Sequence, residues 1–173
     1  MGIDFKFPMA FTKAQIAANQ KFPLVDTMFL SLNDFTKPSL PTIANGFIEL
    51  GFTIFATTRT SILLKMEGIL VERVLKLHKE HPHADDMIAN GQIQLMVIAN
   101  SGDALDQIDG WKLRQMALAY KIPIITIVAG ALASVQVTKS MKKDSLKMIP
   151  LQDFFNTQES EGTTKELHAT FKC

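Results

Sequence analysis

The stretch Thr27–Thr60, TMFLSLNDFTKPSLPTIANGFIELGFTIFATTRT, carries the pattern that decides the fold. Its first part, Thr27–Leu32, is a short apolar run with β-branched and aromatic residues, which predicts a strand. Pro38–Leu50 spaces its apolar residues three to four apart, as a helix does, and Phe52–Ala56 is apolar again after Gly51. The stretch therefore predicts a strand, a helix and a second strand parallel to the first.

Polar residues follow both strands of this unit. They are Asn33, Asp34, Thr36 and Lys37 after the first strand, and Thr57, Thr58, Arg59, Thr60 and Ser61 after the second. The carboxyl ends of adjacent parallel strands meet at one edge of the sheet, where open α/β sheets bind ligands. Two cations, several hydroxyls and the backbone N–H groups at a helix start favour an anion, most simply a phosphate. The alternative is that the hydroxyls only cap the helix.

The composition describes one globular domain. The chain has 173 residues, 47% of them hydrophobic, and a net charge of +1, which argues against a general attraction to nucleic acid. The single cysteine, Cys173, excludes an intrachain disulfide and favours a reducing compartment. No apolar run reaches the roughly 18 residues that a membrane span needs, and the amino end resembles neither a secretory signal nor a transit peptide. We therefore expect a soluble intracellular protein with no membrane partner.

The rest of the chain alternates helix and strand patterns. Helices are predicted at Ala10–Gln20, Ser61–Glu67, Ala84–Asn90, Asp109–Tyr120 and from Ala129 to about Met141, and strands at Ile69–Leu77, Ile93–Ala99 and Ile122–Val128. The run Ile93–Ala99 is apolar throughout, which is typical of a central strand buried on both faces. Together these elements predict an α/β fold, a three-layer α/β/α sandwich with a five-stranded parallel sheet.

The chain is predicted to consist of three segments. Residues 1–23 lie outside the alternating pattern and are interpreted as a linker, residues 24–155 as the domain, and residues 156–173 as a flexible tail. Within the domain, Ile149–Phe155 is expected either to dock on it or to add a short strand.

The helix predicted at Asp109–Tyr120 has a mixed surface. Leu113, Met116, Ala117 and Tyr120 form one stripe of an amphipathic helix, while Trp111 falls in the first predicted turn. We interpret the Met116–Ala119 segment as core, with an interface as the alternative.

Three of the four histidines lie in His78–Asp86, HKEHPHADD. A metal site is one interpretation, but Pro82 interrupts any helix and the spacing fits none of the usual zinc patterns. A mobile loop and a loop that gates a ligand site are the alternatives.

A series of motifs in order extends from Met1 to Phe155. They are MGID, AFTKAQIAANQK, FLSLNDFTKP, ELGFTIFATTRT, VERVLKLHKEHPHADDMIANGQIQLM, SGDALDQIDGWKLRQMALAYKIPIIT, VAGALASV and IPLQDFF. This series resembles the carboxyl-terminal regulatory domain of the large chain of carbamoyl-phosphate synthetases, a member of the methylglyoxal-synthase-like family, with the plant plastid form most similar in wording. Residues 1–23 resemble the end of the ATP-binding domain that precedes it in those enzymes.

The resemblance implies a regulatory role without catalysis. Domains of this family bind effectors such as UMP, IMP or ornithine and adjust carbamoyl phosphate formation for pyrimidine and arginine biosynthesis. The parent enzyme would be an ATP-dependent ligase, and ATP and Mg²⁺ would belong to its other domains, so no cofactor is expected in this chain. The implied partners are the rest of the large chain, the glutaminase small chain and a second copy. In a plant, the implied location is the plastid stroma.

The family's phosphate site maps onto four residues of this chain. The resemblance assigns effector binding to Lys37, Thr57, Thr60 and Lys76, with Arg59 as an additional contact. Arg59 stands where many relatives have glycine, and its side chain occupies space where backbone would approach a phosphate. The second departure concerns Ile98 and Ala99, which stand where bacterial relatives offer an asparagine and a threonine.

Two other functions remain as alternatives. A methylglyoxal synthase, a phosphate-eliminating lyase, needs a placed carboxylate base and a proton-donating imidazole. This chain lacks the Gly-Gly-Asp loop and both histidines of those enzymes, and Asp34 and Asp109 are explained as turn and helix-cap residues. The second alternative is a structural or oligomerisation module that binds no ligand.

Overall fold

Helices and strands alternate along the chain in the computed structural model, which describes residues 2–19, 22–33, 35–74, 84–99, 104–143 and 145–155. The elements are α1 (Phe7–Ala17), β1 (Thr27–Leu32), α2 (Leu40–Glu49), β2 (Thr53–Thr57), α3 (Thr58–Met66), β3 (Glu72–Val74), α4 (Ala84–Ala89), β4 (Leu95–Ala99), α5 (Ala104–Ala119), β5 (Ile124–Ile125) and α6 (Val128–Lys143). A 3₁₀ turn, Lys37–Ser39, precedes α2, and residues 151–155 form a last helical turn.

The sheet has the strand order β3-β2-β1-β4-β5, and every pair is parallel. The predicted five-stranded α/β fold is therefore confirmed. Strand β1 lies at the centre, with Thr27 opposite Thr53 of β2 and Leu32 opposite Ala99 of β4. The chain passes from β1 outward to β3 and then crosses to β4 and β5. The order thus reverses between β1 and β4, which is the position where sheets of this type bind ligands.

Apolar side chains cover both faces of the sheet. On one face Leu30 and Val97 pack in a cluster that includes Phe47 of α2, and on the other Phe29 packs in a cluster that includes Ile88 of α4. Successive strand residues point to opposite faces, so β1, β2, β4 and β5 contribute to both clusters, whereas β3 contributes Val74 to the second. Every residue of β4 is buried, which confirms the prediction of a central strand.

The amino-terminal segment packs on the domain. Helix α1 lies against α6, and its buried residues are Met9 and Thr12. Before the helix, the Asp4 carboxylate pairs with Lys13 Nζ at 2.7 Å. Burial acts to raise the pKa of Asp4, but the hydrogen bonds from Lys13 and from backbone N–H groups outweigh it and hold that pKa below its ordinary value. The described part of the segment predicted as a linker is therefore ordered against α6.

Three predicted helix starts are wrong. Helix α1 begins at Phe7, because Pro8 occupies the first turn, where its missing N–H costs no hydrogen bond. Helix α3 begins at Thr58, three residues earlier than predicted, which places Arg59 in its first turn. Helix α5 begins at Ala104, so Trp111 lies in the middle of the helix.

The predicted strand ends also differ. Among the described residues, β3 covers only Glu72–Val74 and β5 only Ile124–Ile125, since pairing with β2 and β4 decides which residues are strand. Val128 already belongs to α6. The segment 149–155 adds no strand; instead the ring of Phe154 stacks on that of Phe5 with centroids 5.0 Å apart. The structure therefore confirms the other predicted outcome, in which this segment docks on the rest of the chain.

The prediction that Met116–Ala119 is core is right in part. Ala117 is buried beside Leu113, and Met116 packs against them. Leu118, which is 68% exposed, and Ala119 are on the surface, so the prediction is wrong for them, and Tyr120 lies exposed beyond the end of the helix. None of the helices in the described part of the chain is long and apolar enough to cross a membrane.

The close approach of α2 and α6 can be tested at Gly46. A Cβ added there would come within 2.8 Å of Val135 Cγ1. We expect Gly46→Ala to lower the free energy of unfolding by about 1 kcal/mol, because the stiff side chain of Val135 must shift to accommodate the added Cβ. With Val135→Ala also present, Gly46→Ala should instead stabilise by up to ~1 kcal/mol, since alanine favours helix. Denaturant unfolding of the four proteins measures this; an equal effect in both backgrounds would contradict the contact.

Candidate functional site

A pair of buried hydroxyl groups marks the end of β2. Thr57, the last residue of the strand, donates its Oγ1 hydroxyl to Thr60 Oγ1 at 3.1 Å. The side chains are almost inaccessible, with exposed fractions of 7% for Thr57 and 1% for Thr60. Thr60 lies in the first turn of α3, so strand and helix together hold the pair in one orientation. The two predicted threonines are therefore brought together.

The amino end of α3 is not capped by the residue that precedes it. Thr57 makes no side-chain capping hydrogen bond, and the Ser61 hydroxyl donates to the Thr58 carbonyl oxygen at 3.0 Å rather than accepting from an N–H group. The interpretation that these hydroxyls only cap the helix is therefore wrong for Thr57 and Ser61. The first N–H groups of a helix have no partner within it, so they can bind an external acceptor.

The charge at this helix end is positive. Arg59 is exposed in the first turn, which contains no acidic residue. A cation at the amino end of a helix is repelled by the positive end of the helix dipole. An anion bound there is attracted both by the dipole and by the cation. The local electrostatics of the turn therefore favour an anionic ligand.

The loop after β1 lies beside this turn. The register that places Leu30 opposite Ala56 brings the carboxyl ends of β1 and β2 together. Asn33 Oδ1 accepts hydrogen bonds from Thr36 N at 2.9 Å and from Thr36 Oγ1 at 2.8 Å, which fixes the turn that leads to Lys37. Lys37 begins the 3₁₀ turn and is half-buried. The structure thus brings together the strand ends that carry Lys37 and the threonine pair.

The neighbouring strand β4 ends in apolar residues. Ile98 and Ala99 lie opposite Ser31 and Leu32 and are buried, with exposed fractions of 2% and 9%. These two side chains offer no hydrogen-bonding group to the edge of the sheet. The described candidate-site residues therefore lie on the β1 and β2 side of this edge.

Several predicted residues lie outside the part of the chain that the structure describes. These are Asp34, Lys76, the three histidines His78, His81 and His83, and the turn formed by Asn100, Ser101, Gly102 and Asp103. The side chain of Asp109 also lies outside it. Elsewhere in the described ranges, no three His, Cys, Asp or Glu side chains form a group that could hold a metal ion.

A cleft next to the site was not predicted from the sequence. It has a volume of about 330 Å³ and is lined by Ser61, Ile62, Lys65, Ile69, Leu70, Val71 and Arg73. Ser61 and Lys65 are one helical turn apart and therefore share a face of α3. The spacing of Ser61 and Lys65 could have indicated the side of the cleft that α3 forms. The side that includes β3 depends on the pairing of β3 with β2, which the sequence alone does not show.

Comparison with known proteins agrees with this architecture. A family model described as the MGS-like domain matches residues 39–126. The chain belongs to the MGS-like domain family. This confirms the resemblance inferred from the motifs, and the matched residues extend from the turn before α2 to the end of β5.

The relatives of this MGS-like chain are large chains of carbamoyl phosphate synthase. It is 61% identical over 158 residues to the arginine-specific, chloroplastic large chain of Arabidopsis thaliana, covering 91% of this chain and 13% of that protein. Identity is 58% over 160 residues to the corresponding protein of Oryza sativa subsp. japonica, covering 92% and 14%. The large chain of Nostoc sp. is 42% identical over 154 residues, covering 89% and 14%. The chain thus spans only 13–14% of the length of these relatives.

The threonine pair makes a stability prediction that needs no ligand. Thr60→Val removes the acceptor of the buried Thr57 hydroxyl and should lower the free energy of unfolding by about 1–3 kcal/mol. Adding Thr57→Val also removes the Thr57 hydroxyl that has lost its partner. The double variant should therefore recover most of the lost free energy of unfolding, because two apolar groups of the same shape replace the hydrogen-bonded pair. Thr53→Val, on an exposed position of β2, is the matched control, with an effect of about 0.5 kcal/mol or less. Denaturant unfolding measures these free energies. A double variant that is less stable than either single variant would contradict the pairing.

Proposed function

We propose that this MGS-like chain binds a phosphate-bearing effector, such as a nucleoside monophosphate, at the carboxyl edge of its sheet and catalyses no reaction itself. The observation that carries the proposal is the buried Thr57–Thr60 pair at the uncapped, positively charged start of α3. Hydroxyls, helix N–H groups and a guanidinium are the groups that proteins use for phosphate oxygens.

Each proposed contact has a distinct role. The Thr57 and Thr60 hydroxyls and the first N–H groups of α3 would bind the phosphate oxygens directly. Arg59 would add a charged contact from solvent, and Lys37 would approach from the neighbouring loop. Lys76, carried over from the family's phosphate site, would complete the site from the segment after β3.

The wider role rests on the relatives. Their names describe carbamoyl phosphate synthase large chains, and two of them are arginine-specific and chloroplastic. We propose that the domain acts in such a synthetase as its allosteric module and regulates carbamoyl phosphate formation for arginine and pyrimidine biosynthesis. Its partners would be the remainder of the large chain and the glutaminase chain, in the plastid of a plant. ATP and Mg²⁺ would be bound by those other parts of the enzyme.

A second candidate function is a structural module that binds no effector. It is favoured by the outer surface of α5, where Ile108, Trp111 and Leu118 are 60%, 60% and 68% exposed. These positions are three and seven residues apart and therefore lie on one side of the helix. Exposed apolar side chains in such a stripe suit contact with another protein surface.

Calorimetric titration of the purified chain with UMP, IMP, ornithine and inorganic phosphate tests the proposal. We expect one nucleotide to bind more tightly than phosphate, and Lys37→Ala, Thr60→Ala and Lys76→Ala each to weaken it about tenfold or more, because a hydrogen bond to a charged group contributes about 1.5–3 kcal/mol. Lys112→Ala, at an exposed lysine of α5, is the matched control and should leave the affinity unchanged.

Two results would count against the proposal. Unchanged affinity in all three variants would place the effector elsewhere on the domain. Absence of binding by every ligand, in a chain that unfolds cooperatively, would leave the structural module as the better account. Thermal unfolding gives an independent measure, since a ligand at 100 times its Kd adds about 2.7 kcal/mol of stability.

A further inference from the structure

A second cleft separates α1 from the sheet. It has a volume of about 180 Å³, and α1 contributes Phe11 and Gln15 to one side. The other sides come from Phe22, from β5 with the turn that follows it, and from the start of α6. The junction of α1 with the domain is therefore incompletely filled, unlike the close-packed interior that stabilises a core helix.

The buried part of α1 is small. Met9 and Thr12 are its buried residues, and neither belongs to the two apolar clusters that cover the sheet. The Thr12 hydroxyl donates to the Pro8 carbonyl oxygen at 2.8 Å, within α1 itself. Helix α1 thus packs on α6 rather than in the two apolar clusters that cover the sheet.

Contacts outside the helix hold its amino end in place. Lys13 Nζ reaches back to the Asp4 carboxylate and to the Ile3 carbonyl oxygen at 2.9 Å. The rings of Phe5 and Phe154 stack, although Phe5 is 53% exposed. The Asp4–Lys13 pair lies within residues 2–19 and moves with them, so of these contacts only the ring stack joins the segment to the rest of the domain, and an exposed ring pair contributes little free energy.

The turn beneath α1 is fixed independently of it. A Cβ on Gly130 would meet Ile125 Cγ2 at 3.1 Å and Ile127 Cγ1 at 3.3 Å, so the first turn of α6 packs tightly on the end of β5. Departure of α1 would uncover this turn at the carboxyl edge of the sheet and leave the turn itself in place.

We propose that residues 2–19 form a latch that opens from α6 as a unit while the sheet stays folded, and that the stack of Phe5 on Phe154 holds the latch closed. Its opening exposes the cleft at the end of β5. The proposal goes beyond effector binding and does not depend on it, because it concerns the ligand-free chain.

Native-state hydrogen exchange of the whole 173-residue chain, followed by mass spectrometry without ligand, tests the latch. Helical amides of α1 should exchange by local opening, at least about 100-fold faster than those of β1 and β4, which open only with the core. Phe5→Ala should speed exchange in α1 by roughly two- to tenfold and leave β1 unchanged. Phe35→Ala, the same change at a side chain that is 90% exposed in the loop after β1, is the control and should alter neither.

A second variant separates the stack from a general loss of stability. Phe154→Ala should speed α1 exchange as much as Phe5→Ala, and the double variant should do no more than either, since both remove one contact. Exchange of α1 in step with β1 would overturn the latch. Additive effects of the two substitutions, or an equal effect of Phe35→Ala, would overturn the role of the stack. Effector binding is measured separately by titration, so failure of either proposal is distinguishable from failure of the other.

Discussion

Parallel pairing of β1 with both of its neighbours is the constraint on which the rest of this structure depends. A parallel pair cannot be joined by a tight turn, so each connection must cross a face of the sheet and cover it. With β2 on one side and β4 on the other, β1 is buried on both faces, and its carboxyl end shares an edge with theirs. The loops after Leu32 and Thr57 meet for this reason. Their approach is a consequence of strand direction and register, and the burial of Leu64 in the apolar cluster on one face holds α3, which carries Thr60, against them.

The sequence predicted the parts of this fold that depend on local periodicity. Strands β1, β2 and β4 were recognisable because each is a short apolar run between polar turns. The limits of β3 and β5 were not, because a strand ends where its partner stops pairing, and the partner is remote in sequence. The early start of α5 was also missed. Ala104 and Ile108 have the same four-residue spacing as Leu113 and Ala117, but Gly110 lies between the two pairs, and the structure shows that one helix includes both.

At the candidate site, the sequence supplied residue types and the structure supplied their relation. Threonines and an arginine after β2 suggested an anion site, but cap residues have the same composition. What separates the two interpretations is the Thr57–Thr60 hydrogen bond together with the absence of a side-chain cap at Thr57, and neither is visible in a list of residues. The apolar end of β4 makes the described site one-sided. In the proposed complex, phosphate would therefore be recognised from the β1 and β2 side, while the rest of the effector would meet the apolar ends of β4.

The two proposals concern opposite ends of one edge. The threonine pair lies at the end of β2, the turn beneath α1 follows β5, three strands away, and the sheet between them is buried on both faces. Such a sheet has little freedom to deform, because its interior is close-packed. A change that passes from an effector to the surface of the domain must therefore use an element that has two discrete positions. In the proposed latch, helix α1 would be such an element, because it contributes to neither apolar cluster and covers the turn after β5, where Gly130 lies close to Ile125 and Ile127.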